Sequence, residues 1–134
     1  MTQEDKQLLL QDLSARLPYG VKLKGRCDIA TLLQIRAIED RIVILTTTWC
    51  GEIKAFYKEN LDECKPYLRS MSSMTDKEKT EYKKIAPGIE WQDGIHFPTT
   101  NKIDWLNNHH FDYRCLIEKG LALEAPEGTI LKRF

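Results

Sequence analysis

The spacing of apolar residues changes along this chain. At the start, Leu9, Leu10, Leu13 and Leu17 fall at i, i+1, i+4 and i+8, one face of a helix. Thr2 suits its N-cap, and Asp5 three residues on sits where a capping-box acid would. Pro18 stops the helix near Leu17, because proline blocks the helical conformation of the residue before it. From Val21 the period drops to two. Val21-Lys22-Leu23-Lys24 alternates, and Leu33, Ile35 and Ala37 alternate with Gln34 and Arg36. After the polar break Glu39-Asp40, the run Ile42 to Thr48 is almost wholly apolar or β-branched. Trp49-Cys50-Gly51-Glu52 predicts a turn, and Ile53, Ala55 and Tyr57 then alternate with Lys54 and Lys58. Successive strands with short breaks predict an antiparallel meander. Closure into an SH3-like barrel would remove its exposed edges.

The second half has a different grammar. Pro66 argues against a helix through 61–69. Thr75 and Glu78 form a capping box that opens a charged helix to about Ile85, stopped by Pro87-Gly88. Ile89 to Pro98 predicts an irregular loop. Thr100 or Asn101 caps a short helix through Ile103, Trp105 and Leu106, ending near Asn107-Asn108. Asp112 suits the cap of a second helix, Tyr113 to Lys119, with Gly120 at C′ and Leu121 against Leu116. The expected fold class is α+β: an N-terminal helix, a small antiparallel SH3-like barrel sheet, and a helical C-terminal part. The seam falls between 1–72 and 73–134, within a length that one domain can accommodate.

Charge and cysteine content narrow the classes. Lys+Arg and Asp+Glu both number 20 in 134 residues, so no excess of cations is available for a polyanion. A neutral chain binds nucleic acid only through a segregated basic face. The N-terminus has acids and no signal-like apolar run, and no stretch reaches the length of a membrane helix, so a cytoplasmic protein with no membrane partner is expected. Cys27, Cys50, Cys64 and Cys115 are far apart and spell no C-x-x-C; four free thiols acting as small apolar residues are expected.

The densest chemistry is in Asp104 to Gly120, where His109, His110, Asp112, Tyr113 and Arg114 form a polar cluster with Cys115 beside it. Metal ligands must converge, at i, i+3 or i+4 on a helix and at i, i+2 on a strand. His109 and His110 are adjacent and diverge either way. The favoured arrangement is a corner between two helices, with one imidazole bonded to helix-end carbonyls and the other half-exposed. Cys115, beside Leu116 and Ile117, is expected on a buried face that would make its thiol inert. No catalytic residue, metal ligand or cofactor site is assigned.

Two other stretches suggest chemistry. A strand running into Trp49-Cys50-Gly51 looks like a thioredoxin entrance, and Ile53, Phe56, Tyr57 and Leu61 fit a helix. The second cysteine would fall at 53, which is Ile53, so a hairpin is preferred and Cys50 is left as the site of a monothiol alternative. A winged-helix reader in the C-terminal half is disfavoured by charge. Residues 99–134 balance Lys102, Arg114, Lys119, Lys132 and Arg133 against Asp104, Asp112, Glu118, Glu124 and Glu127.

Three stretches carry a resemblance: ARLPYGVK at 15–22, KPYLRSMSSMT at 65–75, and HHFDYRCLIEKGLALEAPEG at 109–128. Their order and spacing resemble a family of small proteins of gut anaerobic bacteria, often encoded in prophages and mobile elements and without an assigned activity. Position 115 departs from that pattern, in which glycine is common. The segment 26–62 is where members of the family vary. The resemblance implies no catalytic residues. The expectation for function is a non-enzymatic interaction or accessory module with a protein partner, contacted through the β meander. Nucleic-acid binding through the sheet or the C-terminal helices is the alternative.

Overall fold

A computed structural model describes residues 1–24, 29–48, 50–63, 65–85, 90–92, 95–97 and 100–125. Helix α1 spans Gln3–Arg16. Thr2 accepts from the Asp5 amide and Asp5 accepts from the Thr2 amide, the reciprocal box that the sequence predicts. Leu17–Tyr19 tightens into a 3-10 turn, and Gly20 reverses the chain at φ +66°.

Four strands follow: β1 (Lys22–Lys24), β2 (Ile29–Ile38), β3 (Arg41–Thr48) and β4 (Ile53–Tyr57). They pair antiparallel in the order β1-β2-β3-β4. β2 and β3 meet at the two-residue turn Glu39-Asp40, with Glu39 at φ +53°. β3 and β4 meet around Gly51, at φ +84°, closed by the Thr48 amide on the Glu52 carbonyl. Ile53–Tyr57 is therefore a strand and not the helix of the thioredoxin alternative. The sheet is open: β1 and β4 are its edges and no described pairing joins them, so the expected barrel closure is not seen. β1 is tied instead to a second layer, through a bridge from Leu23 to Pro66 and a bond from the Lys24 amide to the Lys65 carbonyl.

That second layer is a small parallel sheet. β5 (Tyr67–Ser70) lies between β8 (Phe111–Asp112) and β9 (Leu123–Glu124). The crossover from β5 to β8 carries α2 (Asp76–Lys84), the two-stranded β6 (Glu90–Gln92) and β7 (Ile95–Phe97), and α3 (Thr100–Asn108). The irregular loop expected over 89–98 thus contains a short antiparallel pair. The helical stop at Pro87-Gly88 lies outside the described residues. Thr75 and Glu78 form the predicted capping box of α2. Glu78 also takes a two-pronged contact from Arg69 of β5, at 2.8 and 2.7 Å, which fixes the helix to the sheet.

One core crosses both halves of the chain. Leu9 and Leu13 of α1 pack with Val21, Leu23, Leu32, Ile44, Leu61 and Leu68, and with Leu116, Leu121 and Ala122 from the C-terminal part. A satellite cluster of Met74, Leu106 and Phe111 sits under Tyr82, Trp105 and Tyr113. None of the described helices is long and apolar enough to cross a membrane.

Candidate functional site

At the end of α3 the two histidines turn the corner. The His109 amide still bonds the Trp105 carbonyl, and its Nδ1 lies 2.8 Å from that same oxygen. A carbonyl can only accept, so His109 Nδ1 carries a proton. The ring stacks on Trp105 with centroids 4.0 Å apart. His110 has φ +62°, which reverses the backbone after the helix. Both imidazoles are buried, at 3% and 2% exposure, which corrects the expectation of one half-exposed ring. His110 is held to a pKa of about 4 by burial and by the charges of Arg16, His109, Lys22 and Arg69. It is therefore neutral at neutral pH, and its Nδ1 has no hydrogen-bond partner among the described residues.

Asp112 does not cap a helix, and the predicted second helix over 113–119 is absent. Each of its carboxylate oxygens accepts a backbone N–H, from Leu116 and from Ile117, both at 2.9 Å. The residue between them in the path, Cys115, sits at φ +59°, which no α-helix admits. The segment is a clamped loop that ends in a Schellman turn. The Gly120 amide bonds Ile117, the Leu121 amide bonds Leu116, and Gly120 has φ +74°. The winged-helix layout consequently lacks its recognition helix.

Cys115 is exposed, which corrects its expected place on a buried face. A side chain at left-handed φ costs about 1–2 kcal/mol, partly offset by the greater unfolded-state freedom of glycine. Cys115→Gly should therefore raise the melting temperature by about 2–4 °C relative to Cys115→Ala, a gain near 0.5–1 kcal/mol. A glycine variant that melts no higher than the alanine variant would show that the loop does not hold position 115 in this conformation.

Tyr113 and Arg114 join a group that lies mostly on α1. Asp12 and Arg16 are both fully buried and bond one turn apart, Arg16 Nε to Asp12 Oδ2 at 2.8 Å. Arg16 Nη2 donates to the Phe111 carbonyl at 2.6 Å, tying α1 to β8. Arg114 reaches the other Asp12 oxygen at 3.4 Å. The Tyr113 ring receives both guanidinium groups, Arg16 at 5.1 Å and Arg114 at 4.9 Å from its centroid, and its hydroxyl donates to Asn107 Oδ1 at 2.9 Å. The five polar residues of the opening cluster thus separate. Tyr113 and Arg114 meet Asp12 and Arg16, Asp112 serves backbone amides, His109 bonds back to Trp105 of α3, and His110 lies buried just after it at left-handed φ. Asp12 and Arg16 were missed in the sequence. Their signal was a charged pair on the stripe Leu9, Asp12, Leu13, Arg16, spaced i, i+3, i+4, i+7.

The outer face of the four-stranded sheet is the second candidate. Leu23, Leu32, Ile35, Ile44 and Phe56 point into the core. Register then places Lys22, Lys24, Ile29, Thr31, Gln34, Arg36, Ile38, Arg41, Val43, Leu45, Thr47, Ile53, Ala55 and Tyr57 on the other side, with Gln34 exposed and Val43 buried among its neighbours. A bulge between Leu32 and Gln34 keeps the two halves of β2 in phase with β3. Ile29, Ile38, Ile53 and Tyr57 are exposed there, Ile53 to 61%, and Leu33 is exposed in the bulge. Arg41 covers the Tyr57 ring, 4.4 Å from its centroid.

Cys50 lies exposed in the expected β3–β4 turn with Sγ 3.1 Å from Thr48 Oγ1. The two described cysteines are free thiols, as expected, but both are exposed and neither fills an apolar site; Cys27 and Cys64 lie outside the described residues. The backbone of His96 pairs with Trp91. Among the described residues no three His, Cys, Asp or Glu side chains are gathered to hold a metal ion. Comparison of this chain with protein-family models, curated proteins and solved structures finds no match.

Proposed function

We propose that the chain is a non-enzymatic interaction module that engages a protein partner through the outer face of the β1–β4 sheet. One observation supports this above others. Of the large apolar side chains exposed among the described residues, Ile29, Leu33, Ile38, Ile53 and Tyr57 belong to this sheet, and only Met1 and Met71 lie elsewhere. Scattered surface leucines need no explanation, whereas a contiguous apolar patch calls for a cover. The buried groups support the same reading from the other side. Asp12, Arg16 and Asp112 spend their charge on internal contacts and offer no converging set to a substrate. The motif resemblance supports an accessory protein of phage or mobile-element origin.

Photo-crosslinking tests the surface. A benzophenone side chain at Ile53 or Leu33 should link the full chain to a discrete protein species in the cell that makes it. The same group at Glu81, on α2, should not. Equal labelling from all three positions, or none from Ile53 and Leu33, would overturn the assignment. Nucleic-acid binding is the second reading, favoured by the basic residues of the strands; a salt-sensitive gel shift lost on Arg36→Glu would establish it in place of a protein partner.

A further inference from the structure

The charge of this chain is zero overall but not evenly laid out. β1 to β4 carry Lys22, Lys24, Arg36, Arg41 and Lys54 and no acidic residue at all. The acids nearest in sequence, Glu39, Asp40 and Glu52, are confined to the turns. Register puts Lys22, Lys24, Arg36 and Arg41 on the outer face together with its apolar residues. Arg36 and Arg41 flank the β2–β3 turn, while Lys22 and Lys24 flank the opposite end of the sheet.

We infer that this face receives an amphipathic helix of a partner protein whose apolar stripe is flanked by Asp and Glu. The inference rests on the interaction-module reading and adds the chemistry of the partner. A second copy of this chain is a poor occupant, because face-to-face pairing would set four cations against four cations. A single-stranded nucleic acid needs open aromatic platforms for its bases. Tyr57 is the one aromatic on this face among the described residues, and Arg41 already covers its ring. The remaining apolar surface is aliphatic, which suits leucines and isoleucines. The dimensions also match. Strands about 4.8 Å apart make β2, β3 and β4 a strip about 10 Å wide, the diameter of one helix. The stretch from Thr31 to Arg36 adds roughly 17 Å of length, about three helical turns. Arg36 and Arg41 at one end of that strip, and Lys22 and Lys24 on the adjoining β1 at the other, would meet carboxylates on the flanks of the helix, fixing its position while aliphatic contact supplies most of the affinity.

The test uses the full chain and fluorescence anisotropy. The probe is a synthetic stapled helix with leucines at i, i+3, i+4 and i+7 and glutamates along both flanks. Its twin replaces each glutamate with lysine, and an oligothymidylate is the third ligand. The acid-flanked helix should bind at least about tenfold more tightly than its twin, with affinity falling as salt rises. Arg36→Glu with Arg41→Glu should invert that preference, and Ile53→Asp should weaken both peptides; circular dichroism would verify that these surface variants remain folded. Equal binding of the two helices, or preference for the oligonucleotide, would overturn the proposal. The two claims fail separately. Crosslinks from Ile53 to a partner segment lacking acids would leave the interaction module standing and remove the acidic helix, whereas no crosslinks would remove the module itself.

Discussion

Asp12→Ala should be the most damaging single substitution at a polar position, costing about 3–5 kcal/mol in urea unfolding. Both Asp12 oxygens are committed, to Arg16 at 2.8 Å and Arg114 at 3.4 Å, and the Asp12 and Arg16 side chains are fully buried. Removing the carboxylate leaves a guanidinium enclosed with no counter-charge. Arg16 Nη1 already lacks a partner among the described residues, so the site has no slack to absorb the loss. Domains of this size are commonly stable by 5–15 kcal/mol, so the variant should be near the edge of folding. A paired replacement separates the charge argument from packing. Asp12→Leu with Arg16→Met removes both charges and keeps the volume, and should recover most of the lost stability. Arg114→Ala should cost about 1 kcal/mol or less, because that side chain remains partly solvated. If Asp12→Ala costs no more than Arg114→Ala, the buried pair is not what joins α1 to β8.

The same pair shows where sequence patterns stop being informative. The capping boxes at Thr2 and Thr75, the Schellman turn at Gly120 and the β2–β3 hairpin are local, each written within a few residues, and each is found where the sequence puts it. The α+β class follows from them. The open sheet does not, because closure depends on whether β1 meets β4 or Pro66, a choice made across more than thirty residues of chain. The supposed helix at 113–119 failed for a definable reason. Periodicity allowed it, but Asp112 accepts amides four and five residues ahead, and Cys115 takes a left-handed conformation between them. Nothing in the residue type at 115 announces a positive φ, although the glycine expected there by family resemblance would have. The polar cluster was legible as a set of residues and illegible as a site. Its real partners, Asp12 and Arg16, lie about a hundred positions away on a helix whose polar residues look like a solvated face until it is packed.

Acidification should weaken the fold in two separable steps. His110 has an ordinary pKa of 6.5, lowered to about 4 in the folded chain by burial beside Arg16, His109, Lys22 and Arg69. The folded state therefore binds fewer protons than the unfolded state between those values. Above about pH 7 the group contributes nothing to the pH dependence. As pH falls from 6.5 toward 4 the unfolded chain gains a proton that the folded chain resists, and stability drops by roughly 3 kcal/mol. Glu78 supplies the second step with the familiar carboxylate sign. Hydrogen bonds from Arg69 hold its pKa at about 2 against 4.5, so its contribution is complete above 4.5 and vanishes as pH falls toward 2. The Arg69–Glu78 pair is partly solvated, so screening limits this loss to about 1–2 kcal/mol. Chemical denaturation across the whole span from above pH 7 down to about pH 2 would resolve both limbs. His110→Asn is the informative variant, since asparagine tolerates the left-handed φ of +62° and cannot take up a proton. It should flatten the limb between 6.5 and 4 and leave the lower one in place. Glu78→Gln should do the reverse. An upper limb that survives His110→Asn unchanged would mean that the neutral buried imidazole is not what acid attacks first.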